Sequence, residues 1–306
     1  MRIMSLPLNN KNLLLRLKQS RTGFLFILPL FILISVFSYY PAVSGIYHSF
    51  FNWSMDGSLK FIGIDNFTRL FADPIFINSI PAMVKLMLPK LIISIVVPLV
   101  MAEMIFFVAF SKMQYWYRVL CLLPMVAPGV VGILIWKYIY DPSGGLAVSL
   151  GRLFGFIGMN QNIDWLGNPD LTIGSIIFMG FPWIGGTAVL IYMSGLMNIA
   201  GEIREAALLD GATVFKRIIK IDIPLLMGQI RYFVIFGIIS ALQDYSVQII
   251  LTGGGPGYTT YVPGYYMFKQ AFTFGNMGYA SAIGTILFVV IFTFTLLTMK
   301  LLRAKD

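Results

Sequence analysis

The chain has 306 residues, of which 58% are hydrophobic and only 11% charged, with a formal net charge of +9. A soluble domain carries about 25% charged residues, and a water-facing surface cannot be built from so few, so the composition excludes a soluble globular enzyme and demands a membrane. The basic excess then reads as Lys/Arg-rich cytoplasmic loops; no basic stripe with interleaved stacking aromatics supports a nucleic-acid partner.

A helix needs about 20 apolar residues to cross about 30 Å of hydrocarbon. Six stretches qualify: Phe24–Ile46, Asn78–Phe110, Trp116–Tyr140, Leu171–Leu196, Leu225–Leu251 and Gly278–Leu301. The first follows a basic region with no Ala-x-Ala site after it, and is expected to stay as an uncleaved signal anchor. The second is too long for one upright span; it must tilt, or end near Glu103 and run on along the interface. Pro29, Pro98, Pro124, Pro128 and Pro182 fall inside these stretches. Each removes a backbone donor and bends its helix, so neighbours must satisfy the freed carbonyls.

Lys and Arg are unevenly placed. Arg2, Lys11, Arg16, Lys18 and Arg21 precede the first stretch, and Lys112 and Arg118 follow the second. Arg204, Lys216, Arg217 and Lys220 lie between the fourth and fifth, and Lys300, Arg303 and Lys305 close the chain. Only Lys60, Arg69, Lys137, Arg152 and Lys269 fall on the other side. The bias places both termini in the cytoplasm, which suits an even number of spans. The expected organisation is an all-α polytopic protein: a cytoplasmic tail 1–22, one six-span domain 23–301, and a tail 302–306. The single cysteine, Cys121, has no disulfide partner in the chain, and the single histidine, His48, lacks metal-site company.

The loop after the fourth stretch is long and amphipathic: Met197–Pro224, MNIAGEIREAALLDGATVFKRIIKIDIP. Ile203, Ala206, Ala207, Leu209 and Ala212 interleave with Glu202, Arg204, Glu205 and Asp210. That predicts a helix, a turn at Asp210–Gly211, and a second helix through Val214, Phe215, Ile218 and Ile219. Pro224 is placed to open the fifth span. By periodicity alone the segment fits either a helix lying on lipid headgroups or a docking element for a cytoplasmic partner.

The loop resembles the signature of ATP-binding-cassette (ABC) importer permeases, EAA-x3-G-x9-I-x-L-P. Glu205, Ala206, Ala207, Gly211, Ile221 and Pro224 stand at that spacing, with Ile223 in place of the usual Leu. FILPLFILISVFSYYPAVSGIYHSFFNW, FIGIDNFTRLFADP, YRVLCLLP, LTGGGPGYTT and AFTFGNMGYASA look like the sugar-permease branch, over about Phe24–Leu301. The resemblance implies a complex with a second permease, two ATPase subunits and an extracytoplasmic solute-binding protein. In it the loop couples ATPase closure to alternating access, and the solute is a sugar. The chain has no GxxxxGK[ST] motif, so ATP and Mg belong to the partners, and no cofactor or catalytic residue is expected in this subunit.

Ionisable and polar groups inside spans are expensive and often functional. Lys85 and Lys90 in the second span, and Gln243, Asp244, Tyr245 and Gln248 in the fifth, are the candidates for the solute path. A cationic lining from Lys85 and Lys90 would suit an acidic solute. Two other readings use the same residues: an ABC permease for a non-sugar solute, and an ion-driven carrier with Lys85, Lys90 and Glu103 as a relay. The second leaves the 205–224 loop without a role.

Overall fold

The computed structural model describes residues 21–301; the tails at either end, and the boundaries expected for them, lie outside the described residues. The chain is mostly helical. Among the described residues, four helices are long and apolar enough to cross a membrane: Thr22–His48, Pro74–Phe106, Met227–Thr252 and Met277–Leu301. They match the expected first, second, fifth and sixth spans to within a few residues.

The third and fourth stretches, expected as single spans bent at their prolines, are broken into separate helices. The third runs as Ser111–Val126 and Gly129–Ile139, bent by 86°. Pro124 and Pro128 bracket the break, and Pro128 cannot supply an N–H to the turn before it. The fourth is divided into Pro169–Phe178 and Gly186–Met197. Between them Gly180 takes φ 93° and Pro182 interrupts the backbone donors. A sharp bend of 74° then leads from Gly186–Met197 into Gly201–Leu209.

Pro74–Phe106 is the central helix. Asp73 caps it by accepting from the Ile75 N–H, with Pro74 at the first turn, where a missing N–H goes unnoticed. At 33 residues and about 1.5 Å per residue it outruns the hydrocarbon. It packs against Gly186–Met197, Met227–Gln243 and Pro263–Phe268. Two hydrophobic cores sit at its two ends. One gathers Phe76, Met83 and Leu86 with Leu242, Tyr265 and Ile283. The other gathers Leu99, Ala102 and Ile105 with Val189, Tyr192 and Leu226. Gly186 permits the second core to close, because a Cβ there would collide with the Cys121 carbonyl oxygen.

The first helix is different. No residue of 22–34 is buried within the chain; only its Tyr40–His48 part packs on Met277–Leu301. Its turn widens at Ser35–Tyr39, where the Tyr40 N–H reaches back to the Ser35 carbonyl. The wide turn precedes Pro41, whose ring would otherwise press on the preceding turn. A hairpin follows, Phe51–Trp53 paired antiparallel with Leu59–Phe61 in the register Phe51↔Phe61. Buried Asn66, on the amphipathic helix Asp65–Ala72, donates to the Ser49 and Phe51 carbonyls at 2.9 Å each and ties the hairpin down.

Candidate functional site: the amphipathic loop and the central cavity

The loop has the predicted shape. Gly201–Leu209 ends at Asp210, and Gly211 takes φ 70°. The Ala212 N–H reaches the Ala207 carbonyl at 2.9 Å and the Gly211 N–H the Leu208 carbonyl at 3.0 Å. That double closure needs a left-handed residue at Gly211. Thr213 caps Val214–Arg217 by accepting from the Lys216 N–H. The chain then widens through Ile218–Asp222, and Pro224 sits in the short turn Ile223–Leu225 just before Met227, rather than opening the long helix itself.

Exposure sorts the signature residues. Glu205, Ala206 and Gly211 lie on the outer face, while Ala207 is buried at 7% exposure against its own chain. Ile221 is half-buried and Pro224 exposed. Around the turn, Leu208, Leu209, Val214 and Phe215 are exposed by 67%, 89%, 55% and 72%. Four large apolar side chains at the apex of a charged loop make an exposed apolar patch, where scattered single ones would need no explanation.

Beneath the loop lies a charge cluster that the sequence did not single out as a unit. Arg217 Nε donates to Asp222 Oδ2 at 3.0 Å, and Arg217 Nη2 stands 3.8 Å from Glu103 Oε2. The Arg217 guanidinium covers the Phe107 ring at 4.3 Å, and that of Arg204 covers Phe106 at 4.2 Å. Arg204 also donates to the Leu196 carbonyl. The signal available was an acid inside each of two apolar runs, VMAEMIFF and IIKIDIP; that they share Arg217 is a tertiary fact.

Between the two cores a cavity of about 590 Å³ opens beside the central helix. Lys90, Ser94 and Pro98 line it from one side, Phe233, Ser240 and Asp244 from another, and Trp183 and Thr187 from the divided fourth segment. Trp183 takes φ 57°, a left-handed conformation rarely adopted by a bulky residue. Its indole N–H donates to the Ile177 carbonyl at 3.1 Å, and its ring meets Phe178 and Phe181 edge-on. The strain, about 1–3 kcal/mol, presents a ring to the cavity.

Three of the six path candidates come together. Lys90, Asp244 and Gln248 surround a recess of about 30 Å³ next to the main cavity, room for a single water. Gln248 is 4% exposed, and its Oε1 has no hydrogen-bond partner among the described residues. Lys85 and Gln243 are exposed, and Tyr245 faces another groove, against Phe268. Lys90 therefore shares its recess with Asp244 and not with a second lysine. Trp183 and Ser240 were not foreseen; a lone Trp beside Pro182 and Gly185 carried no pattern to find it by.

Residues 64–305 match the family described as binding-protein-dependent transport system inner membrane component. The chain is 30% identical over 282 residues to the probable ABC transporter permease protein YurN of Bacillus subtilis, covering 92% of this chain and 95% of that one. It is likewise 30% identical over 284 residues to the sulfoquinovosyl glycerol transport system permease protein SmoG of Agrobacterium fabrum, covering 92% and 90%. The multiple sugar-binding transport system permease protein MsmF of Streptococcus mutans is 30% identical over 284 residues, covering 91% and 94%. The fold matches a chain of a bacterial ABC transporter involved in the import of the acidic polysaccharide alginate, with TM-score 0.83, 22% identity and coverage of 96% and 99%. A six-stretch apolar chain with this loop, matched along nearly its whole length, belongs to the ABC transporter permeases of the binding-protein-dependent inner membrane component family.

Proposed function

We propose that the chain is one of two membrane subunits of a bacterial importer for a sugar or oligosaccharide. Residues 23–301 act as one six-span unit with both termini in the cytoplasm, and the third and fourth spans cross as broken helices. ATP hydrolysis belongs to partner subunits, and an extracytoplasmic binding protein delivers the solute. The sugar assignment draws on relatives whose names specify sulfoquinovosyl glycerol and multiple sugars. It also draws on a cavity lined by the rings of Trp183, Phe233 and Phe236 and by small polar groups such as Ser94, Thr187 and Ser240, which suits a pyranose face and its hydroxyls.

The observation that carries the reading is the preformed loop. Glu205 and Ala206 share an exposed face with Leu208, Leu209, Val214 and Phe215 around the Gly211 turn. That face fits a groove on an ATPase: Glu205 meets a basic group, Ala206 permits close approach, and Gly211 sets the bend. Ala207 and Ile221 hold the loop to the bundle from within, and Pro224, itself exposed, ends it just before the long helix. In the solute path Lys90 and Asp244 offset each other's charge, so the lining suits a neutral sugar better than the two lysines alone would have.

The test is copurification of the chain from native membranes in mild detergent, with mass spectrometry of its companions. A second permease and an ATPase subunit, lost in Gly211→Asp, are expected. Repeated recovery of the chain alone would sink the importer reading in favour of an ion-driven carrier.

A further inference from the structure

We infer that Glu103, Arg217 and Asp222 form a buried charge latch that makes the cytoplasmic loop and the central helix Pro74–Phe106 move as one lever. The inference rests on the coupling reading above and assigns it a transmission element.

Three charged side chains meet where water is scarce. Glu103 is 4% exposed, Arg217 9% and Asp222 0%. Burying charges is unfavourable unless they pair well, and apolar residues of similar volume would hold the same elements together at least as firmly. A cluster kept for cohesion alone would be complete, and this one is not. Arg217 is bonded to Asp222 at 3.0 Å but stands 3.8 Å from Glu103, against about 2.7–2.9 Å for a formed charge-assisted bond. Both Glu103 oxygens and Asp222 Oδ1 are buried without a hydrogen-bond partner among the described residues. A partly satisfied network in a low dielectric has much to gain from a small rearrangement. The geometry thus supplies two arrangements: Arg217 on Asp222, as here, and Arg217 closed onto Glu103.

The backbone is built to allow the change. Ile218–Asp222 is a widened turn in which the Ile223 N–H bonds the Ile218 carbonyl, and such turns mark functional sites in helices. The cluster also spans the right elements. Arg217 and Asp222 belong to the loop, while Glu103 belongs to the helix that passes the cavity. Lys90 lies thirteen residues before Glu103 on that helix, about 20 Å at 1.5 Å per residue. Pro98 lies between them, yet the helix is continuous from Pro74 to Phe106, so a push on the loop is carried to the cavity wall along a single helix. Arg204, bonded to the Leu196 carbonyl and lying over Phe106, keeps the loop registered on the same helix end. These are positioning residues; none lines the cavity.

The test uses the complete transporter in proteoliposomes, with Cys121→Ala and a reporter Ser94→Cys in the cavity lining. Two quantities are read: ATP hydrolysis, and the rate of maleimide labelling at the reporter with and without ATP plus vanadate. With the latch intact, nucleotide trapping is expected to change labelling by about five-fold or more, the low end of typical coupling. The neutral variant Glu103→Gln/Arg217→Met/Asp222→Asn leaves no unpaired buried charge. It is expected to keep hydrolysis within about two-fold while the labelling change disappears. A labelling change that survives in it overturns the latch. If that variant does not assemble, Glu103→Gln alone, which leaves Arg217 on Asp222, is read the same way. Parallel loss of hydrolysis and labelling response in both variants would make the cluster a structural cement and also overturn the proposal. A transporter with the latch intact that hydrolyses ATP with no change at the reporter fails differently: it overturns the coupling reading itself.

Discussion

Two residues show how much rests on single side chains. Gly211 takes φ 70° with open space where a Cβ would stand, so substitution there meets backbone strain and no clash. Gly211→Ala is expected to weaken the turn by about 1 kcal/mol, while Gly211→Asn, more at ease in that region, is expected to do less harm. ATPase subunit recovered per chain on copurification ranks the variants; Asn falling below Ala would show that the φ is not what matters. Asp73 is the other case. Burial pushes its carboxyl up, but hydrogen bonds from Tyr266 and Tyr279 and from the Ile75 backbone outweigh that and hold it below the usual carboxylate range. The hydroxyl distances are 2.5 and 2.6 Å, and they clamp the start of the central helix to two later segments. In the other direction, burial and then the Asp73 bond push the Tyr266 hydroxyl up to about 12. Because the carboxyl is depressed in the fold, its contribution is present above the ordinary Asp range near about 3.9 and is lost as pH falls through the folded value. Thermal unfolding of the detergent-solubilised complex is therefore expected to fall more steeply below about pH 4 in the parent than in Asp73→Asn. At pH 7 that variant should already be about 1.5–3 kcal/mol less stable, as for a lost hydrogen bond to a charged group; identical acid slopes would refute the clamp.

At the scale of elements, the sequence was most readable where one physical rule acted alone. Length and hydropathy placed Thr22–His48, Pro74–Phe106, Met227–Thr252 and Met277–Leu301 closely, and the turn at Gly211 followed from amphipathic periodicity. The third and fourth stretches were legible as apolar but not as broken. Pro124, Pro128 and Pro182 said only that a bend was available. Whether a proline kinks a helix mildly or parts it by 86° depends on what neighbours pack into the gap. The cavity follows from the same breaks, because Trp183 reaches it only when its segment is unwound, so its role could not be read from spacing. The hairpin Phe51–Trp53/Leu59–Phe61 is too short to have shown alternation, and Asn66 is the side chain that hydrogen-bonds it to Asp65–Ala72. Asn66→Ala removes both bonds to the Ser49 and Phe51 carbonyls and leaves buried acceptors unpaired. A loss of about 2 kcal/mol, with earlier proteolytic nicking in 54–58, is expected. Asn66→Asp should be no better, since it supplies no donor; nicking no earlier than in the parent would show that the hairpin is held by something else.

At the scale of the whole molecule, the chain reads as half of something. Phe26 and Phe37 on the first helix are 82% and 74% exposed, and nothing in 22–34 is buried within the chain. Lipid can cover such a face, and so can a second subunit, but the polar cavity needs a wall. Ser94 and Asp244 line the cavity from two sides and both stay exposed, and a polar path cannot face hydrocarbon without large desolvation penalties. The arrangement closes only if the loop and the cavity serve opposite ends of one crossing: ATPase contacts in the cytoplasm, solute entry outside. Topology therefore tests the entire reading. With Cys121→Ala as background, Lys216→Cys should react with a membrane-impermeant maleimide only after the cytoplasmic side is opened. Met159→Cys, 79% exposed in the stretch between the broken third and fourth segments, should react in intact cells. If both label from outside, the broken fourth segment does not cross, the count of spans becomes odd, and the charge bias that put both termini inside was set by the first helix alone. If they label from opposite sides, the two short helices 169–178 and 186–197 together complete a crossing, and the strained turn at Trp183 lies within the membrane, where a solute path would need it.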